Sequence, residues 1–186
     1  IEQFGNDTSG FVGRLLWRHS VGVATCARVI AERIGHNAEA AFSAGLLHDI
    51  GQLLMLAVAP DACAEVRIRM RQGDVGIVAA EQEIFGYDHA IAGGELARLW
   101  RLPEDIVGAI HGHHRPDSGE DGEIGDLVHV AEVLSHALDL GESERNHVPD
   151  VSEIALLRLG LDWSMLAPRF PEIEARYSGV RQALGL

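Results

Sequence analysis

Positive charge is scarce in this chain. It has 15 Lys and Arg against 28 Asp and Glu, a formal net charge of −13. No Lys/Arg run offsets that balance, which argues against nonspecific nucleic-acid binding or attachment to an anionic membrane surface. Aromatics make up only 5%. With Ala, Leu and Gly abundant, that scarcity favours closely packed helices over a β-sandwich. There are two cysteines, Cys26 and Cys63, each in a helix-like apolar context. They read as small buried hydrophobes in a reducing cytoplasm, not as a disulfide framework. The sequence has no signal-peptide pattern. Its longest unbroken apolar run, Leu53 to Ala59, is too short to span a bilayer. No segment alternates apolar and polar residues with β-branched enrichment, and no repeat of 20–50 residues is present. The first residue is Ile1 rather than Met, which suggests a piece of a longer polypeptide.

What the chain does have is helical pattern. The hydrophobic fraction is 47% and the mean hydropathy +0.05, over 186 residues. Those values fit one folded domain spanning 1–186. The first helix is expected from the cap candidates Asp7-Thr8-Ser9 to about Ile34. Its apolar stripe reads Phe11, Leu15, Val23, Cys26 and Ile30, and His19 falls on that stripe. Gly35-His36-Asn37 reads as a stop followed by a new cap. A central helix from Ala38 to about Ala59 follows, then helices over 60–71, up to Ile84, and from His89 to Trp100. Pro103 is expected at the first helical position of the next helix, which ends at Gly112-His113-His114. Residues 115–125 read as an exposed loop and 124–140 as a further helix. A last helical pair, Val151–Leu159 and Trp163 to about Leu184, is bent at Pro168 and Pro171. The fold class is therefore all-α: a single-domain, multi-helix bundle. The motif-bearing part is about 11–140, and 141–186 packs on it as a C-terminal extension.

The central helix is apolar on nearly every side, yet carries His48-Asp49 in its middle. Such a helix is normally buried. A carboxylate buried there needs a cation, a proton or a hydrogen-bond network. Other polar residues at inward or helix-end positions are His19, His89, His113 and His114. Imidazole and carboxylate are ligands for a divalent transition metal such as Fe, Mn, Zn or Ni, and separate helices can deliver them to one core. From spacing alone, a metal site holding one or two ions and a hydrogen-bonded histidine cluster both remain open.

The residues also carry a resemblance. His19 followed by His48-Asp49-Ile-Gly is similar to the HD superfamily of metal-dependent phosphohydrolases. Five motifs in order resemble the HDOD family more closely. They are Leu16-Trp-Arg-His-Ser20, Ala44-Gly-Leu-Leu-His-Asp-Ile-Gly51, Phe85-Gly-x-Asp-His89-x-x-x-Gly93, Trp100-x-Leu-Pro103 and His113-His114-x-Pro116. The resemblance implies an HD-domain bundle acting as a bacterial signal-transduction output module, often joined to a response-regulator receiver. Its expected partners are other signalling proteins or domains, with a homo-oligomer among the options. Active relatives, the HD-GYP phosphodiesterases, hydrolyse cyclic di-GMP at a two- or three-metal centre. The ligand positions of that pattern fall on His19, His48, Asp49, His89, His113 and His114, with Glu132 where a closing Asp is expected. Gln52 stands where the pattern has a phosphate-binding Lys, Leu15 where it has a third-metal Glu, and Arg115-Pro-Asp-Ser replaces its Gly-Tyr-Pro loop. Gln52 and Arg115 are the remaining candidates for contacting a phosphate. Ligand positions are thus kept more fully than catalytic ones, which puts a signalling module ahead of a metal-dependent phosphohydrolase acting on a nucleotide or cyclic dinucleotide.

Overall fold

A computed structural model of the protein describes residues 4–73, 75–118, 122–141 and 148–186, with side chains from residue 13 onward. It is built of helices: α1 (Phe4–Ile34), α2 (Ala38–Leu47), α3 (Ile50–Val58), α4 (Pro60–Gly73), α5 (Ile77–Phe85), α6 (His89–Leu99) and α7 (Glu104–Gly112). A 3-10 turn at Pro116–Ser118 precedes α8 (Gly122–Ala137), α9 (Glu153–Arg158) and α10 (Trp163–Leu166). A second 3-10 turn, Ala167–Arg169, leads into α11 (Phe170–Leu184). No strand is present among the described residues. The expected all-α helical bundle is the observed fold.

Local chemistry sets most of the boundaries. Asn37 caps α2, accepting a hydrogen bond from the Ala40 N–H, directly after the left-handed Gly35 (φ 76°) ends α1. Asp88 caps α6 in the same way, accepting from the Ile91 N–H. Ser152 and Asp162 do so for α9 and α10. Pro168 and Pro171 fall in the 3-10 turn and the first turn of α11, where a missing N–H is tolerated.

Several expectations need correction. The first helix is already under way at Phe4, so Asp7-Thr8-Ser9 does not cap it, and Phe11 lies outside the described side chains. Pro103 is the residue before α7, not its first. The expected loop at 115–125 is shorter than its polarity suggests, because α8 starts at Gly122 and buries Gly125. The polar stretch after Gly141 falls largely outside the described residues.

The main correction concerns the centre. The expected helix over 38–59 is two helices, α2 and α3, separated by His48-Asp49. Asp49 adopts φ −96°, ψ 13°, and its carbonyl accepts from the Gln52 N–H three residues on. That conformation lies in the bridge region, which turns the chain without a glycine. Taken together, Ala38–Val58 spans 21 residues with a hydropathy of 1.4, long and apolar enough to cross a membrane. The longest-run estimate from Leu53 missed this. Burial covers only 39% of that window: α2 lies against α1 and α8, α3 lies against α6, and the polar turn points inward, while Val58 at the end of α3 is exposed.

The core runs between α1, α2, α7 and α8. Ile30, Ile110, Leu127 and Leu134 are fully buried within it. Each contributes about 1.5–3 kcal/mol by leaving water. The C-terminal helix α11 closes this core from the α1 side through Ile173 and Tyr177. Cys26 is buried as expected, whereas Cys63 is only half-buried, and both are free thiols.

Candidate metal centre

Five elements deliver the cluster. His19 projects from α1, His48 and Asp49 from the α2–α3 turn, His89 from the first turn of α6, His113 and His114 from the end of α7, and Glu132 from α8. The turn matters because neighbouring side chains on one continuous helix diverge by about 100°. At the turn both His48 and Asp49 can face the same space. Gly51 then brings α3 onto α6. A Cβ there would sit 1.9 Å from the His89 carbonyl oxygen and 2.7 Å from the Gly93 nitrogen, so only glycine allows the approach that sets Asp49 beside His89.

Asp49 is the hub. Its carboxylate lies 3.9 Å from His19 Nε2, 3.5 Å from His48 Nε2, 3.1 Å from His89 Nε2 and 4.0 Å from His113 Nε2. His114 Nε2 is 2.9 Å from His89 Nε2, and His114 Nδ1 is 3.9 Å from Glu132. The His113 and His114 rings touch at a tilt, with centroids 4.0 Å apart and planes 47° from parallel. Candidate ligand atoms fall into three triads, each within 4.8 Å: His89, His113 and His114; His48, Asp49 and His113; and His19, His48 and Glu132. The triads share His48 and His113, which leaves room for one or two ions.

The tautomers follow from the partners. His48 Nδ1 donates to the Gly45 carbonyl and His113 Nδ1 to the Ile110 carbonyl, both at 2.8 Å. A carbonyl only accepts, so each Nδ1 carries the proton and each Nε2 keeps a bare lone pair. Both Nε2 atoms, together with Asp49 Oδ1, are buried without a hydrogen-bond partner. His89 contacts Asp49 closely but out of hydrogen-bond alignment. Its Nδ1 donates to Glu81 Oε2 at 2.6 Å, and its backbone N–H donates to the same oxygen at 2.9 Å. A carboxylate behind a histidine, with the opposite nitrogen facing inward, is the arrangement that orients metal-binding imidazoles. Orphaned inward lone pairs are costly unless a cation meets them. The donor set therefore fits a borderline divalent transition metal.

The electrostatics agree with the geometry. Burial holds His19 and His114 down at about 3, and the neighbouring His48 and His89 respectively push in the same direction. Burial likewise lowers His48 and His113, outweighing Asp49. Burial opposes charge on His89 too, but Asp49 and Glu81 overcome it and raise that histidine to about 10. Burial also works against an ionised Asp49, yet His48 and His89 keep it well below the usual carboxylate range. Glu132 is pushed up to about 8, by burial first and by Asp49 second. Without a cation, then, the cluster shares protons among groups that a metal would hold deprotonated.

The two phosphate candidates stand apart from this cluster. Gln52 is half-buried on α3, and its side chain makes no hydrogen bond to the cluster among the described residues. Arg115 is exposed and donates back to the His111 carbonyl at 3.3 Å. Sequence reasoning missed three contributors. Glu81 orients His89. His129 donates to the His113 carbonyl at 3.0 Å. His136 packs its ring 4.8 Å from that of His19. A signal existed for the last two, since Asp126, His129, Glu132 and His136 recur at helical spacing along one stripe of α8. The apolar residues of that helix had masked it.

The HDOD domain family model matches residues 3–116, more than half of the chain. The chain belongs to the HDOD family. An HDOD domain protein with unknown function from Geobacter sulfurreducens has the same fold. Its TM-score is 0.71 at 27% identity, over 90% of this chain and 62% of that one. The MmoQ response regulator from Methylococcus capsulatus str. Bath shares the fold at TM-score 0.61 and 21% identity, over 84% of this chain and 60% of that one. Among curated proteins, Ribonuclease Y of Lawsonia intracellularis is 31% identical over 143 residues, covering 74% of this chain. This chain spans only 22% of that protein. The matched residues contain all the ligand candidates except Glu132, which lies beyond them on α8.

Proposed function

We propose that this HDOD chain is a signalling output module built around a transition-metal centre, the effector part of a bacterial response regulator or multidomain signalling protein. His19, His48, Asp49, His89, His113, His114 and Glu132 hold the metal. The observation that carries the reading is the set of buried, unpartnered atoms His48 Nε2, His113 Nε2 and Asp49 Oδ1, all turned to one point. A bound divalent ion meets these bare atoms and joins the five elements that deliver the donors. The output passes through the module's surface to another signalling protein or domain. The two free cysteines and the acidic surface suit a cytoplasmic setting.

A phosphohydrolase is the second reading, favoured by the same ligand set and by the likeness to Ribonuclease Y. Phosphodiester hydrolysis also needs cationic groups on the phosphate. The chain contains no lysine, carries Gln52 on α3, and keeps Arg115 bonded outward. The cluster reaches solvent only at its edge, where the His19 and His114 side chains are 15% and 21% exposed. These features put signalling first.

Elemental analysis of untagged protein tests the metal centre. Stoichiometric Fe, Mn, Zn or Ni is expected in the wild type, with loss in Asp49→Ala and His48→Ala. A chain that neither carries metal nor takes it up on reconstitution refutes the reading. Turnover of a cyclic dinucleotide or an RNA by metal-loaded protein would move the hydrolase ahead.

A further inference from the structure

The segment His113–Asp117 carries two candidate ligands and runs from the end of α7 into the 3-10 turn at Pro116–Ser118. It is held from the other side by the C-terminal extension. His129 on α8 sits between the two parts. Its Nδ1 faces the His113 carbonyl oxygen at 3.0 Å, and its Nε2 faces the Ser152 backbone nitrogen at 3.0 Å. A carbonyl can only accept and an amide N–H can only donate. His129 is thereby fixed as the neutral Nδ1–H tautomer bridging both backbones. Ser152 adds a second tie, its hydroxyl donating to Asp117. Arg158, six residues on, grips the buried Asp126 of α8 with a fork, Nε to Oδ2 at 2.7 Å and Nη2 to Oδ1 at 2.5 Å. The same Nη2 donates to the Pro116 carbonyl.

We infer that His129, Ser152 and Arg158 are positioning residues for the metal centre, and that the C-terminal extension sets the metal affinity by holding the main chain of His113–Pro116. This inference rests on the metal reading above. None of the three residues faces the candidate ligand space. They act on carbonyl oxygens, and through these on where the His113 and His114 rings stand. All three lie beyond the residues matched by the family model. A contact that displaces α9 therefore loosens the ligand segment, which gives the extension a physical route to the centre.

Co2+ is a suitable probe, because its visible bands report coordination geometry independently of any activity. Outer-shell partners of metal ligands typically change affinity by about 10–100-fold. His129→Leu and Arg158→Met are expected to weaken Co2+ binding by that factor, measured by chelator competition, and to alter the visible spectrum. His129→Asn, which keeps a donor where Nδ1 stands, recovers most of the affinity. Arg176→Ala is the control. It removes the tie from α11 to Glu32 of α1 and a pair with Glu172 within α11, and it should lower thermal stability while leaving Co2+ affinity and spectrum unchanged. If His129→Leu does not fold, Arg158→Met against Arg176→Ala decides the question. Wild-type affinity and spectrum in the folded His129 and Arg158 variants overturn the inference. An equal loss of affinity in Arg176→Ala does so as well. No Co2+ uptake by the wild-type chain overturns the metal centre itself, an outcome distinct from uptake that the variants leave unchanged.

Discussion

Lowering the pH of the metal-free chain from 7 to 5 is expected to destabilise it. His19, His48, His113 and His114 all have folded-state pKa values below the ordinary 6.5. Their contribution to stability is present above pH 6.5 and is lost as the pH falls, because the unfolded chain takes up protons that the folded chain refuses. His129, lowered by burial, adds to the same trend. Glu132 works in the opposite direction. At about 8, it already holds its proton in the folded chain, whereas the unfolded chain binds that proton only near the ordinary 4.5. His89, at about 10, is protonated in both states below pH 6.5 and drops out of this window. Near pH 5.5 His19 and His114 put the unfolded chain about two protons ahead and Glu132 takes back about one, a slope of at least about 1.4 kcal/mol per pH unit, to which the lowered His48 and His113 add. Total stability for such a domain is about 5–15 kcal/mol, so a fall from pH 6.5 to 5 removes a sizeable share, at least about 2 kcal/mol. Urea midpoints after chelation, followed by circular dichroism at pH 7, 6 and 5, measure the slope. Stability constant to within about 1 kcal/mol across that range would refute the claim that these histidines are held neutral in the fold. On the alkaline side the sign reverses. His89 and Glu132 have raised values, so the Glu132 contribution is lost between the ordinary 4.5 and about 8 and the His89 contribution between the ordinary 6.5 and about 10. A bound cation replaces both protons and should remove that decline.

Gly51→Ala forces a Cβ into the His89 backbone, where neither strand of main chain can yield. The expected loss exceeds about 3 kcal/mol in chemical denaturation, and a loss below about 1 kcal/mol would show that α3 and α6 are not so closely joined. Glu81→Ala strands the two donors of His89 in the interior. It should cost about 3–5 kcal/mol, and Co2+ affinity should fall tenfold or more; unchanged affinity would separate Glu81 from the centre. Asp88→Ala removes the α6 cap and should cost about 1 kcal/mol by thermal melting. Ile173→Ala opens a cavity beneath α11 and should cost about 2–5 kcal/mol. That loss should fall within one cooperative transition, whereas a separate early transition would make the C-terminal extension an independent unit.

The sequence by itself determined the helices and most of the residues that meet in the cluster. Those features are local: stripes of 3.6-residue period, caps such as Asn37 and Asp88, and His-Asp or His-His dipeptides at helix ends. Tertiary structure decided the rest. Whether 38–59 was one helix or two depended on a single residue in the bridge region, which no propensity marks. Glu81 became the orienting carboxylate only because the turn at Gly86 folds α5 back onto the start of α6. His129 meets His113 from 16 residues away and Ser152 from 23, contacts that no periodicity reveals. Which nitrogens are left bare was likewise fixed in three dimensions, by carbonyls at Gly45 and Ile110 taking the Nδ1 protons. Sequence can name candidate ligands, because ligand chemistry belongs to residue type. Their aim comes from packing, because each proton goes to whichever acceptor the fold sets beside it.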